Sequence, residues 1–383
     1  MADRLTPAEL IDALPVAPDA GPAAAAWKSR TLAAVAQPAC REHWKYSPLA
    51  EFIHPLSAQS VARPVLRGLN QPGLRLDVRA AGRDPSAGED PADAASTARF
   101  PLADLGRALT GELQVLHIEG SPASPVEVDL GDGIGVPLLI EVAGGARVTL
   151  LERNTAEHFG HHSVYLHLHP GSRVTHARTA LHEHACDWSL NQVVLSADSH
   201  YELQQYTSGG KKRRTETHVI LQGAAAQAHL IGAYVVGSGA HLDQQFILEH
   251  RARDTLSRQR FHGIGAGKGT AVFNGRIHIH PDSPRCDATL SNRNLALHPD
   301  AQINTKPELE IYTDDVKCAH GATVGRISGD SLFYLQSRGL RESEARRMLC
   351  RAFIRECVTG PLAEEAAARL LTDWWTDSHQ VMS

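Results

Sequence analysis

The chain has no stretch of about 18 consecutive apolar residues, so no bilayer-spanning helix is expected. Its opening residues, Met1-Ala-Asp-Arg-Leu-Thr-Pro7, carry an acid early and lack an apolar core, so no signal peptide is expected either. Cysteine is scarce and scattered. Six thiols contain no Cys-x-x-Cys pair, which excludes a zinc ribbon and a disulfide framework and fits reduced thiols in a cytoplasm. Aromatics make up only 5% of residues, net charge is −5, and no basic stripe interleaves with aromatics, so nucleic acid is not an expected partner. His-Glu-x-x-His, Gly-x-Ser-x-Gly and Gly-x-Gly-x-x-Gly are all missing. The chain therefore lacks the machinery of a self-sufficient enzyme.

What is present is a pattern that changes twice along the 383 residues. Residues 1–105 read as a helical region rich in Ala and Pro. Thr6-Pro7 predicts a capped helix start, Ala23 to Gln37 a second helix, and the Gly-, Ala- and Asp-rich stretch 82–97 a flexible loop. Over residues 106–335 the apolar period becomes two. Leu113–Ile118, Val126–Leu130, Val148–Leu151, Val164–His169 and Gly275–His280 read as strands of about five residues. The segments Arg147-Val148-Thr149, Arg173-Val174-Thr175, His200-Tyr201-Glu202, Gln227-Ala228-His229 and Asp254-Thr255-Leu256 recur at roughly 26 to 27 residues. Small residues precede several of them, as in Gly144-Gly145-Ala146 and Pro170-Gly171-Ser172. Short strands at such a period bury an apolar face only by stacking, coil on coil, about 4.8 Å apart. The expected fold is mainly β: a β-helix (β-solenoid) core flanked by N- and C-terminal helical regions. A sandwich would turn at shorter and less regular intervals.

Residues 336–383 return to a helical period. Ala345, Met348, Leu349, Ala352, Phe353 and Cys357 fall on one stripe, with Arg346, Arg347, Arg351 and Arg355 largely off it. Gly360-Pro361 stops this helix, and Leu362 to Trp375 reads as another.

Several clusters invite a chemical role. His167 and His169, His182 and His184, and His278 and His280 would each share a face if their segments were strands, and Cys186 would extend the second pair. Solvated or sheet-face histidines are the plainer reading of all three. Lys211-Lys212-Arg213-Arg214 reads as a solvated turn, and His262 to Thr270 as a turn between coils that only imitates a phosphate loop. Glu308 and Glu310 would share a solvated strand face, and Asp314-Asp315 looks like a turn. Cys318 and His320, two apart, place a thiol and an imidazole on one strand face: half of a soft metal site, to be completed from elsewhere.

The run Lys306-Pro-Glu-Leu-Glu-Ile-Tyr312 and the run Asp314-Asp-Val-Lys-Cys-Ala-His-Gly-Ala-Thr-Val-Gly325 resemble the C-terminal core signature of the SufD family. Glu42-His-Trp-Lys-Tyr-Ser-Pro-Leu49 resembles a Glu-x-Trp-Lys-Tyr-Thr-x-Leu element near the start of that family, with Ser for Thr. The resemblance covers most of residues 40–358. It implies a β-helix flanked by helices, acting as a non-catalytic scaffold in iron acquisition and iron–sulfur cluster assembly. It further implies a heterodimer with SufB through the β-helix, and docking of the SufC ATPase on the C-terminal helices. There Arg347 and Arg351 are the surface-facing candidates and Met348, Leu349 and Phe353 the apolar ones. A homodimer is an alternative when the chain is alone. His320 matches the family histidine that faces a SufB cysteine over iron or a nascent cluster, and Cys318 is the adjoining thiol. SufB would carry Glu directly after its histidine, where this chain has Gly321. Reduced FAD can belong to such a complex, but no flavin signature occurs here. From another class, the alternative is a β-helix protein acting on or binding polysaccharide.

Overall fold

A computed structural model describes residues 6–14, 21–58, 60–80 and 100–370. The expected loop 82–97 and the end of the last expected helix lie outside them. The N-terminal helices are α1 (Pro7–Ala13), α2 (Gly21–Val35), α3 (Pro38–His43), α4 (Ala50–Ile53) and α5 (Pro101–Thr110). Thr6 caps α1, its hydroxyl accepting from the Glu9 amide while the Glu9 carboxylate accepts from the Thr6 amide.

The early strands are β1 (Val61–Ala62), β2 (Val65–Arg67), β3 (Leu74–Ala80), β4 (Glu112–Ile118), β5 (Val126–Leu130), β6 (Gly133–Gly135) and β7 (Leu138–Val142). From there the chain alternates between two sheets. One takes β9 (Phe159–Leu168), β11 (Cys186–Leu195), β13 (Lys212–Leu221), β15 (His241–His250), β17 (Thr270–Ile279) and β19 (Gln302–Ile311). The other takes β8 (Arg147–Asn154), β10 (Arg173–Ala180), β12 (His200–Ser208), β14 (Gln227–Val236), β16 (Leu256–Gly265), β18 (Cys286–Ala296) and β20 (Val316–Gly325). Every pairing from β8 to β20 is parallel. The result is a β-solenoid of about eight turns with helices at both chain ends, as the period predicted.

From β8 onward each coil holds two strands of 8–11 residues rather than several of about five. The shorter estimate came from counting only apolar alternation, and the strands run on through buried polar residues that alternation cannot see. The coil period also drifts. Arg147, Arg173, His200, Gln227, Leu256 and Asp287 share one row of the ladder. The sequence reading placed Asp254, not Leu256, on that row. Asp254 is the corner residue. Gly145, Gly171, Asp198, Ala225, Asp254 and Arg285 all have positive φ one or two positions before a strand, and each donates its amide to a carbonyl of the next coil. Only Gly takes this left-handed geometry freely, which explains why the repeat is legible at Gly145 and Gly171 and blurred afterwards.

The inward faces enclose one apolar column, from Leu116 and Val128 to Phe273 and Leu290. The N-terminal helices cover the outside of the first sheet through Trp44, Phe52, Leu102 and Trp188. Helices α6 (Gly329–Ser337), α7 (Glu342–Arg355) and α8 (Ala363–Leu370) follow β20, and Cys350, Ile354 and Ala366 help cover the second sheet. In α7 the buried residues are Ala345, Cys350 and Ile354, whereas Met348 and Ala352 are exposed, so the packed stripe is rotated by about one residue from the expected one.

The basic run is no solvated turn. Arg213 and Arg214 lie at the start of β13 and are wholly buried. Arg213 points inward, donating to Asp187 Oδ1 at 2.8 Å and to the Ala180 and Ser208 carbonyls at 2.8 and 2.7 Å. Arg214 points outward, donating to Glu216 and Asp243 beneath the Trp44 ring, 3.9 Å from its centroid. Period two splits adjacent arginines between two buried networks, a split that a charge count cannot see.

Candidate functional site at the open coil end

Among the described residues, no strand follows β19 and β20, so the solenoid ends in two unpaired strand edges. Such edges present free N–H and C=O groups and are templates for another chain. Pro307 sits in β19, a position a proline tolerates because this strand is terminal. Ile303, Leu309, Val316 and Cys318 are half-buried against the end of the core column. Ile311 and Val324 stand more exposed at the same end.

Cys318 aligns with Ala288 and His320 with Leu290, both inward-facing core residues of β18. The thiol and imidazole thus occupy the same face of β20, as their spacing predicted. They differ in access. Cys318 packs against the core, and burial pushes its thiol above the ordinary range, with Cys286 and Asp287 adding to the effect. His320 is exposed. Among the described residues no group of three or more His, Cys, Asp or Glu could hold a metal ion.

The other histidine pairs do not form ligand sets. His182 and His184 lie in the turn before β11 rather than on a strand, so the expected alignment with Cys186 is absent. His169 falls just beyond β9. His278 and His280 stack at 4.1 Å and are held by carboxylates, His280 Nε2 lying 3.1 Å from Glu249. Glu308 and Glu310 are engaged by Lys306 and Arg276, while Asp314 and Asp315 form the turn into β20. Gly267 at the tip of the phosphate-loop look-alike is a turn residue between β16 and β17.

The two segments that carried the resemblance meet. Lys306 Nζ lies 3.6 Å from Glu42, and the segment after Glu42 is clamped onto the outer face of β13 and β15. Ser47 Oγ donates to Asp243 Oδ2 at 2.6 Å and lies 2.9 Å from His241 Nε2, which explains why that position carries a hydroxyl.

Residues 133–353 match the family described as SUF system FeS cluster assembly, SufBD core domain. The chain belongs to the SufBD family. It is 32% identical over 231 residues to the iron–sulfur cluster assembly protein SufD of Escherichia coli, covering 59% of this chain and 54% of that protein. A SufBD family protein of Mycobacterium leprae is 32% identical over 200 residues, 48% of this chain and 51% of the relative. One from Mycobacterium tuberculosis is 27% identical over 355 residues, 86% of each. The match thus spans about half the length of the first two. Over the matched region the chain is accordingly homologous to SufD.

On the C-terminal helices, Arg347 and Arg351 are exposed and Leu349 half-buried. Phe353 stacks on His262 at 4.4 Å, and its carbonyl lies 2.7 Å from His262 Nδ1, so its main work is anchoring α7. Sequence reasoning missed Phe333 and Tyr334 on α6, which are 73% and 57% exposed. The sequence reading carries the β core to residue 335, whereas these two lie on the helix that starts at Gly329.

Proposed function

We propose that this chain is the non-catalytic, SufD-type scaffold subunit of a SufB–SufC–SufD assembly complex, and that it contributes to iron acquisition and to the site where the cluster is built. The observation that carries this reading is the open coil end: an exposed His320 and a half-buried Cys318 on one strand face, beside two unpaired edges. A SufB-type solenoid would cover that end, and a cysteine from it would complete the ligand set for iron or the nascent cluster. A mixed imidazole–thiolate set shared by two chains holds its cargo only while they are apposed, which suits a scaffold that must release it.

The C-terminal helices are the proposed SufC docking surface. Arg347, Arg351 and Met348 on α7, with Phe333 and Tyr334 on α6, form its exposed portion, while Leu349 and Phe353 support it from beneath. ATP hydrolysis in the docked ATPase would move the two solenoids against each other and open the shared site. For reduced FAD, the described residues give poor support. The large groove on the outer sheet face is lined by Arg, His, Thr and Glu, with no exposed aromatic ring to stack an isoalloxazine. No described helix is long and apolar enough to cross a membrane, and a cytoplasmic setting is part of this proposal.

The test is reconstitution with SufB- and SufC-type partners, followed by iron, sulfide and ATPase measurements. His320→Ala should leave complex assembly and ATP hydrolysis intact and cut cluster formation at least tenfold. A His320→Ala complex with normal iron and sulfide would overturn the half-site.

A further inference from the structure

We infer that the groove on the outer face of the second sheet, beside the segment joining α7 and α8, binds a small polyanion bearing two or more phosphate or carboxylate groups. The groove has a volume of about 820 Å³, within the range of small-molecule sites. Its floor is built from consecutive rungs of β10, β12, β14, β16 and β18, and Thr359 forms a wall. The parallel register sets the floor's chemistry. Thr175, Glu202, His229, Arg258 and Thr289 lie in one row; Arg173 and His200 lie in the next; Arg260 and Ser291 lie in a third. Three arginines and two imidazoles thus face a single lining carboxylate, Glu202, which already accepts from Gln204 at 2.8 Å.

A second observation points the same way. Arg147 and Arg173 occupy successive rungs, putting like charges side by side about 4.8 Å apart, an arrangement that destabilises a sheet unless something neutralises it. Among the described residues neither Arg147 nor Arg173 pairs with a carboxylate. Arg258, by contrast, is fixed by Asp287, its Nη1 donating to Oδ1 at 2.9 Å, so it is an oriented cation rather than a mobile one. Burial first, and then Arg173 and Arg258, hold His200 and His229 below the ordinary imidazole range, consistent with a positive field over the groove. The wall is rigid. The Thr359 amide donates to the Tyr206 hydroxyl at 2.8 Å, and that hydroxyl donates back to the Thr359 carbonyl. Hydroxyls of Thr175, Thr289 and Ser291 complete a donor set suited to phosphate or carboxylate oxygens. A ligand here would touch both the solenoid and the C-terminal segment, independently of the open coil end.

Calorimetric titration of the full chain at low ionic strength, with pyrophosphate and separately with citrate, tests the proposal. At least one probe should bind with Kd below about 1 mM. Arg147→Gln combined with Arg173→Gln should weaken it at least tenfold, while Lys268→Gln, an exposed cation in another turn, should not. Binding of pyrophosphate alone assigns a phosphate ligand; binding of citrate alone assigns a polycarboxylate; binding of both assigns recognition by charge spacing. If neither probe binds in that range, if the double variant binds as the parent does, or if Lys268→Gln weakens binding equally, the site does not exist.

Discussion

His320 and Cys318 share a strand face but not a burial state, and that difference sets what each residue contributes. The Cys318 thiol is packed against the core and its pKa is raised by burial, so releasing its proton to become a ligand is costly unless a metal displaces it. His320 is exposed and open to a partner's approach. Cys318→Ala in the reconstituted complex should therefore reduce iron and sulfide content less than His320→Ala does. Equal losses would make the thiol a ligand of the same rank. Ser47 offers a test of a different kind. Its hydroxyl bridges Asp243 and His241 under the N-terminal segment, and removing it takes a donor from the buried Asp243 carboxylate. Ser47→Ala should lower stability by about 1–3 kcal/mol in urea titrations. An unshifted midpoint would show that Arg214 and Gln245 satisfy Asp243 without it. At this scale the shared face of Cys318 and His320 and the hydroxyl at Ser47 were legible in the sequence. It could not show that Arg213 and Arg214 are buried, because charge and burial come apart only when partners such as Asp187 and Asp243 are brought in from other coils.

The elements divide by what surrounds them. The period-two strands and their parallel stacking were legible, since each coil repeats the same inward positions. The corner drift was not, because Asp198, Ala225, Asp254 and Arg285 fill a left-handed position that the pattern marks only where it is Gly. On α7 the apolar stripe was misplaced by about one residue. Met348 looks like core by type, while Cys350 and Ile354 do the packing and leave Met348 exposed. That rotation makes the outward face of α7 a mixed apolar and cationic surface. Replacing Arg347 and Arg351 by Glu should abolish or strongly weaken recovery of a SufC-type ATPase in pull-down, with the circular dichroism spectrum unchanged. Undiminished recovery would move the ATPase to another surface, whereas a changed spectrum would mean that the substitutions disturb α7 itself.

Across the whole molecule, the mainly β architecture with helices at both ends followed from one long period, but the polar layers inside it did not. The described interior holds imidazoles that have no access to water. Burial, with smaller contributions from neighbours, pushes His161 down to about 3, and burial pushes His162 and His250 down to about 4. In the unfolded chain these groups titrate near the ordinary value of about 6.5. Between those values the unfolded state binds protons that the folded state refuses, so stability rises with pH across this window. The full contribution is present above about pH 6.5 and erodes as pH falls toward 4, on the order of 1 kcal/mol per pH unit for each buried imidazole. The salt-bridged Glu152, held down to about 2 by Arg178 and His176 against the opposing effect of burial, loses its contribution only at still lower pH, from about 4.5 downward. Urea unfolding of the full chain should accordingly show a steep fall in stability from pH 7 to pH 5, with net uptake of protons on unfolding. His161→Phe, which keeps a ring against Trp188, should reduce that uptake by about one proton even if it shifts the midpoint itself. A pH-independent midpoint across this range would mean that the buried imidazoles are already protonated, or already reached by water, in the folded solenoid.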